Sequence, residues 1–445
     1  MIVPSNRLIL LTAVLVVPCG LLAALFPAAL PGLLCAIAAF ALLAAIDAVR
    51  ASESLARVTA ALPELARLTK GRQGSFQIRV SNSAPRPVPL RIGIALPPAL
   101  DSAQETLRVN VPPAPEPQSA TWTCQPRRRG CYTVEHLYLE TSSPFRLWAW
   151  REKRAGRMEV RVYPNLREER TRLASVFLHR GGYGAHTHRM VGKGREFEKL
   201  REYIPGDSFE DIHWKATARR AHPITKTYQL ERTQEVYAVL DTSRLCGRVV
   251  GEKDGEPITQ LDRFVQAALA LGLVAERQKD FFGLIVFGGQ VRRFVRARGG
   301  QAHYNACRDA LYTLEPESGD PDYEELCTFV RLRLRRRVLL VFLTNLDDPV
   351  LAERFADDVQ LLTRQHLVLA NMITPPGARP VFTTGPAEDL DAVYRRLAGH
   401  FQWRDLRALQ RRLRRRGVTF SLVDNPALAP DLVAQYMQVK QRQLL

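Results

Sequence analysis

The chain has 445 residues, 46% of them hydrophobic and 24% charged, with a formal net charge of +18. That apolar content excludes a disordered polymer and suffices for about three domains of ordinary size. The basic excess calls for an anionic neighbour, either nucleic acid or the anionic face of a membrane.

Leu8–Phe26 and Ala28–Ile46 are uncharged apolar runs, each close to the ~20 residues a helix needs to cross a bilayer. The short link Pro27–Pro31 between them suits a helical hairpin, so residues 1–50 are assigned as a transmembrane hairpin. A cleaved signal peptide is the alternative, because Arg7 precedes an apolar run, but a second run of spanning length follows at once. Arg7 on one flank and Arg50, Arg57, Arg67 and Lys70 on the other place both hairpin ends in the cytoplasm by the positive-inside rule. The soluble part is then expected to face the cytoplasm.

Residues 51–165 carry short β-type runs, among them Ser75–Val80, Leu90–Ile94, Tyr132–Val134 and Val160–Tyr163, separated by Pro-rich turns. Their length and spacing predict a small β-sandwich. Val111–Gln118 is rich in proline and is expected to be a connection, not a central strand. Trp148 and Trp150 alternate with Ala149, which puts both rings on one face, packed in a core or against another domain. The seven cysteines form no metal or secreted-disulfide pattern. Cys124 and Cys131 flank the turn Gln125–Gly130 of an expected hairpin and are expected to stay thiols in a reducing cytoplasm.

Residues 166–232 form a connector and a charged collar. His179, His186 and His188 crowd the connector, but with no nearby cysteine they make a poor zinc set and read as part of a loop. From Gly192 to Arg232 the chain packs Gly, Pro, Trp and charges of both signs with no simple period, the texture of a folded interaction surface. Arg195–Tyr203 is predicted as a short helix, Pro205-Gly206-Asp207 as its stop, and Asp211–Ala221 as a second short helix anchored by Trp214.

Residues 233–445 alternate strands and helices. The predicted strands are Val236–Leu240, Gly283–Phe287, Val338–Leu343, Leu367–Met372 and Val418–Val423, with Val291–Val295 as an antiparallel edge. The predicted helices are Gln260–Lys279, Tyr304–Leu314, Tyr323–Arg335, Leu351–Gln365, Leu390–Arg416 and Leu432–Gln441. Such alternation builds an α/β doubly wound parallel sheet.

The collar's order G-x-G-x-E-F-x-x-L-R-x-Y-x-P-G-D (Gly192 to Asp207), then Ile212-x-Trp214-Lys215, Ala218-Arg219 and, after a strand, Asp241-x-Ser243, resembles the bacterial family called domain of unknown function fifty-eight. Glu210 departs from the Arg usual there. Ser143-Pro-Phe-Arg-Leu147 is similar to that family's D-P-F-G-L, with Ser143 for the Asp and Arg146 for the Gly. The resemblance implies a von Willebrand factor A-like fold and a partnership with a MoxR-type AAA+ ATPase that assembles or remodels protein complexes. Arg201, Tyr203, Asp207, Trp214, Lys215 and Arg219 are then the expected docking surface, with Tyr203 and Trp214 as alternative glue to the sheet.

In the von Willebrand A fold a divalent ion sits in D-x-S-x-S plus a later Thr and Asp, the oxygen donors a hard cation needs. Here Asp241 and Ser243 are present, but Leu245 replaces the second Ser and Asn345 the Asp, with Asp347 nearby. The metal set Asp241, Ser243 and Asp347 is therefore degenerate; no cofactor is expected, and magnesium would bind weakly if at all. No phosphate loop, dinucleotide fingerprint or zinc-protease motif occurs. The composite expectation is a non-enzymatic membrane-anchored scaffold. Its rivals are a hydrolase using Asp241 and Ser243, and a nucleic-acid binder using Arg331–Arg337 and Arg411–Arg416. Those runs lack interleaved aromatics and otherwise read as solvated faces or as contacts to anionic lipid. The topology is checked by fusions after Leu445: a cytoplasmic fluorescent reporter should be active there, and an exported phosphatase silent.

Overall fold

In the computed structural model the described residues are 1–167, 169, 171–172, 191–204, 208–220, 222–229, 233–253, 255–383 and 389–442. The three connector histidines lie outside them. The chain divides into two compact units, Met1–Asn165 and Leu166–Leu445.

The first unit begins with β1 (Ile2–Pro4), then helices α1 (Asn6–Leu25) and α2 (Leu30–Ala56). Asn6–Leu25 and Leu30–Arg50 are long and apolar enough to cross a membrane. Nine strands follow: β2 (Val58–Ala61), β3 (Leu65–Thr69), β4 (Gly74–Asn82), β5 (Val88–Ile94), β6 (Leu100–Asp101), β7 (Leu107–Val111), β8 (Ala114–Pro126), β9 (Gly130–Ser142) and β10 (Trp148–Tyr163). One sheet has the order β1-β10-β9-β5-β7, with β3 also on β10; a second has the order β2-β4-β8-β6. Period-two alternation sends Phe76, Ile78 and Val80 of one sheet and Leu90, Ile92, Leu137 and Leu139 of the other into a single core around Trp122.

Two expectations are corrected here. The proline-rich stretch is a strand, since β8 starts at Ala114 and pairs with β4 through Val80↔Gln118 and Asn82↔Ala114. It is tolerated because the ladder is irregular at that point and β6 reaches only Gln125 and Pro126, so the prolines meet a partner strand on one side alone. Cys124 and Cys131 do not flank a hairpin: β8 and β9 belong to different sheets. Both are free thiols, Cys124 buried and Cys131 exposed, and burial pushes the Cys124 thiol up to about 11.

The helices are fastened to the β strands by a carboxylate. Asp47, fully buried near the end of α2, accepts from Ser143 Oγ, from Phe145 N at 3.1 Å and from Leu147 N at 3.3 Å. The start of α1 reaches the same β9–β10 turn, where Ser5 Oγ donates to Arg146 O at 2.6 Å. Trp148 Nε1 donates to Ala44 O at 2.8 Å, and Trp148 packs with Leu8, Phe40, Ala44 and Leu147. Trp150 packs instead on the core between the sheets.

The second unit opens with β11 (Val191–Glu202), α3 (Trp214–Arg220) and β12 (Ile224–Gln229). It continues through β13 (Glu235–Asp241), β14 (Val249–Lys253), β15 (Glu256–Thr259), α4 (Gln260–Arg277), β16 (Phe281–Phe287) and β17 (Val291–Arg298). The remainder is α5 (Gln301–Leu311), α6 (Tyr323–Arg333), β18 (Leu339–Leu343), α7 (Pro349–Thr363), β19 (Leu367–Ile373), α8 (Leu390–Arg415), β20 (Val418–Val423) and α9 (Leu428–Gln441). The main sheet has the order β17-β16-β13-β18-β19-β20. Its pairs are parallel, apart from the antiparallel edge β17.

Strands buried on both faces read as continuous apolar runs, and the side chains sort by parity. Val236, Ala238 and Leu240 join a core with α4, α5 and α9. Tyr237 and Val239 join another with α6, α7 and α8. The chain is thus a multidomain α/β protein with two apolar N-terminal helices.

Arg146 sits at φ 58° with an exposed side chain, a left-handed backbone that suits glycine and costs other residues about 1 kcal/mol. Arg146→Gly should therefore raise the apparent melting temperature of the detergent-solubilised chain. Asp47→Ala should lower it by the equivalent of roughly 3 kcal/mol or more, because it strands three donors, two of them backbone amides. Thermal unfolding followed by circular dichroism reads both signs.

Candidate functional site

Two places gather the singled-out residues. The first is the collar. Where a helix was predicted over Arg195–Tyr203, the structure has β11, antiparallel to β12 through Leu200↔Lys226, Arg201↔Thr225 and Glu202↔Ile224. Local propensity there is overridden by a cross-strand partner more than twenty residues away, which no window of sequence contains.

The second predicted helix exists but is shorter, Trp214–Arg220. It starts at His213, whose Nδ1 accepts from Ala216 N at 3.1 Å, and its last turn holds Arg219 and Arg220, favourably placed against the helix dipole. Thr217 Oγ1 accepts from Ile224 N at 3.1 Å, tying the helix to β12. Among the described residues, those buried here are Ile212, Ile224 and Thr225.

Trp214 is no anchor: it is 69% exposed, and Phe209 and Ile204 are 72% and 57% exposed. Lys215 and Arg219, on the same short helix, are exposed too. Tyr203 is half-buried, its ring 5.9 Å from that of Phe209. Arg201, at the end of β11, is half-buried. Asp207 lies outside the described residues. The collar thus presents an apolar and cationic surface on a small β-hairpin-and-helix scaffold.

The second place is the carboxyl end of β13 and β18. These neighbours in the sheet lead in opposite directions, β13 toward β16 and β18 toward β19, and the ends of such strands are where open α/β sheets bind ligands. Asp241, Thr242, Ser243, Thr344 and Asn345 are all buried there. Asp241 Oδ1 accepts from Ser243 N at 2.8 Å and Oδ2 from Thr344 Oγ1 at 2.6 Å. Burial raises the Asp241 carboxyl above its usual range, against those hydrogen bonds. Burial, reinforced by Asp241, likewise raises the Cys246 thiol and the Tyr323 hydroxyl.

The residues do not fit a hard cation. Asp347, the one further carboxylate expected at this end, is held by Arg248 and Gln402. Asn345 spends its side chain on Gln260 Oε1 at 2.9 Å and on Asp347 N at 2.8 Å. Ser243 Oγ is buried and lacks a hydrogen-bond partner among the described residues, but one hydroxyl is far short of the six or so oxygens required. Among the described residues no cluster of three or more His, Cys, Asp or Glu could hold a metal.

Thr344 and Gln260 were not singled out in sequence. Thr344 directly follows a buried apolar strand, and that hydroxyl was the available signal; its role follows only from the pairing of β13 with β18.

Residues 199–392 match the family described as protein of unknown function DUF58. An uncharacterized protein of Mycobacterium bovis is 25% identical over 198 residues, 44% of this chain and 59% of the relative; the chain spans about that share of the curated relatives it matches. Among solved structures, the conserved hypothetical protein BatB of Bacteroides thetaiotaomicron is similar at 15% identity and TM-score 0.30, over 47% of this chain and 99% of its own. The SpRpn10 VWA domain is similar at 10% identity and TM-score 0.28, over 46% of this chain and 95% of its own.

Because Asp241 is fully buried and each of its oxygens already accepts a hydrogen bond, millimolar magnesium should leave the melting temperature unchanged, whereas a ligand at a hundred times its Kd adds about 2.7 kcal/mol. Asp241→Ala should lower stability by roughly 3 kcal/mol. Scanning calorimetry with and without magnesium reads both.

Proposed function

We propose that the chain, whose residues 199–392 match that family, is a membrane-anchored cytoplasmic adaptor. In this reading the apolar hairpin holds a β-sandwich and a doubly wound, von Willebrand A-like domain at the bacterial inner membrane. The collar docks a MoxR-type AAA+ ATPase that assembles or remodels protein complexes. The observation that carries the docking is the exposure of Trp214 at 69% and Phe209 at 72% beside Lys215 and Arg219. Exposed aromatics next to cations are the composition of binding hot spots, and a monomer gains nothing by leaving them in water. The identity of the ATPase comes from the family resemblance.

What supports an adaptor over a hydrolase is the sealed environment of Asp241 and Ser243, both 0% exposed. A substrate carbonyl has no path to a hydroxyl so placed.

Arg219→Glu and Trp214→Ala should each leave the melting temperature of the solubilised full chain within about 0.5 kcal/mol of wild type. Each should weaken the ATPase by ~2 kcal/mol, about thirtyfold. The measurement is co-purification from solubilised membranes with the ATPase co-expressed. Normal ATPase recovery with both variants would make the collar structural and sink the docking.

A further inference from the structure

Helix α8 has two apolar faces. One, with Leu406, Leu409 and Leu413, is buried against the sheet. The other turns to water: Leu390 is 70% exposed, Tyr394 62%, Phe401 45% and Leu397 40%. Their spacing of four, three and four residues aligns them along one side of a helix, a ridge roughly 16 Å long at 1.5 Å per residue. Val393 flanks it, 45% exposed. Beyond Phe401 the same line continues through Arg404, Ala408, Arg411 and Arg415, all exposed.

Charge selects the occupant. Between Leu390 and Arg416 stand nine arginines against two aspartates, Asp391 and Asp405. Arg412 pairs with Glu353 and Arg416 with Asp357, whereas Arg411, Arg414 and Arg415 have no ion pair among the described residues. Arg404 lies over the Phe401 ring at 5.2 Å. The surface is therefore a convex ridge, apolar at one end and cationic at the other, on a helix whose back is already fixed to the sheet.

We infer that this outer face of α8 lies on an anionic lipid surface, with the ridge from Leu390 to Phe401 inserted below the headgroups and Arg404, Arg411 and Arg415 on the phosphates. Interfacial helices have this composition of Leu and aromatics beside arginine. A convex ridge offers a partner helix no groove, but a bilayer closes over it. The inference rests on the reading of α1 and α2 as a membrane anchor, since such a tether keeps lipid permanently at high effective concentration. Each arginine then adds attraction to anionic headgroups that falls off within a Debye length.

The test uses the full chain with its exposed cysteines replaced, Cys35→Ser and Cys131→Ser. Tyr394→Cys carries a nitrobenzoxadiazole label, and the protein is reconstituted in nanodiscs of phosphatidylcholine with or without phosphatidylglycerol. Expected is a blue-shifted emission quenched by spin-labelled lipid in the phosphatidylglycerol discs, and lost in the triple variant Arg404→Glu, Arg411→Glu, Arg415→Glu. A label that stays water-exposed, or that is shielded without quenching by lipid and so covered by protein, overturns the proposal. The same label at Leu21→Cys in α1 reports the anchor. Loss of quenching at 394 alone defeats the α8 surface, and loss at both positions defeats the anchor reading with it.

Discussion

A carboxylate taken out of water must be given donors by the fold, or it will not stay. Each unit of this protein is organised around that constraint. In the first, Asp47 near the end of α2 collects Ser143 Oγ and the amides of Phe145 and Leu147. A single side chain following the apolar run of α2 thereby sets the β9–β10 turn. In the second, Asp241 collects Ser243 N and Thr344 Oγ1 and joins the ends of two adjacent strands. Asp280 repeats the device, accepting from Gln234 N at 3.1 Å and from Lys440 Nζ at 2.7 Å, and so pins α9 beside the start of β16.

These devices separate what stabilises the protein from what it presents to others. The carboxylates that sequence motifs would assign to a metal already have partners within the protein. Asp347 is bound to Arg248 and Gln402, and Asn345 to Gln260. The outward chemistry is elsewhere, in exposed aromatic and cationic groups on the collar and along α8.

The collar shows how surface and scaffold combine. Among the described residues its buried side chains are Ile212, Ile224 and Thr225, and it is held by a capped helix start at His213 and the ladder of β11 on β12. Trp214 and Phe209 stand outside that set and remain at the surface.

The sequence by itself determined the apolar helices and the strand–helix alternation of residues 233–445. Both depend on local composition and period, which neighbours along the chain carry. The strands from Val236 to Val423 and the six helices between and after them lie within a few residues of their expected places. Tertiary structure decided the rest. Arg195–Tyr203 is a strand because β12 pairs with it, Cys124 and Cys131 part because consecutive strands go to different sheets, and Pro-rich β8 survives because it is unpartnered on one side there. Trp214 faces water because the helix carrying it has no buried face, while Thr344 meets Asp241 because β13 and β18 are neighbours. Each of these turns on which distant segment lies alongside, and that is fixed by packing of the whole chain, not by any stretch of it.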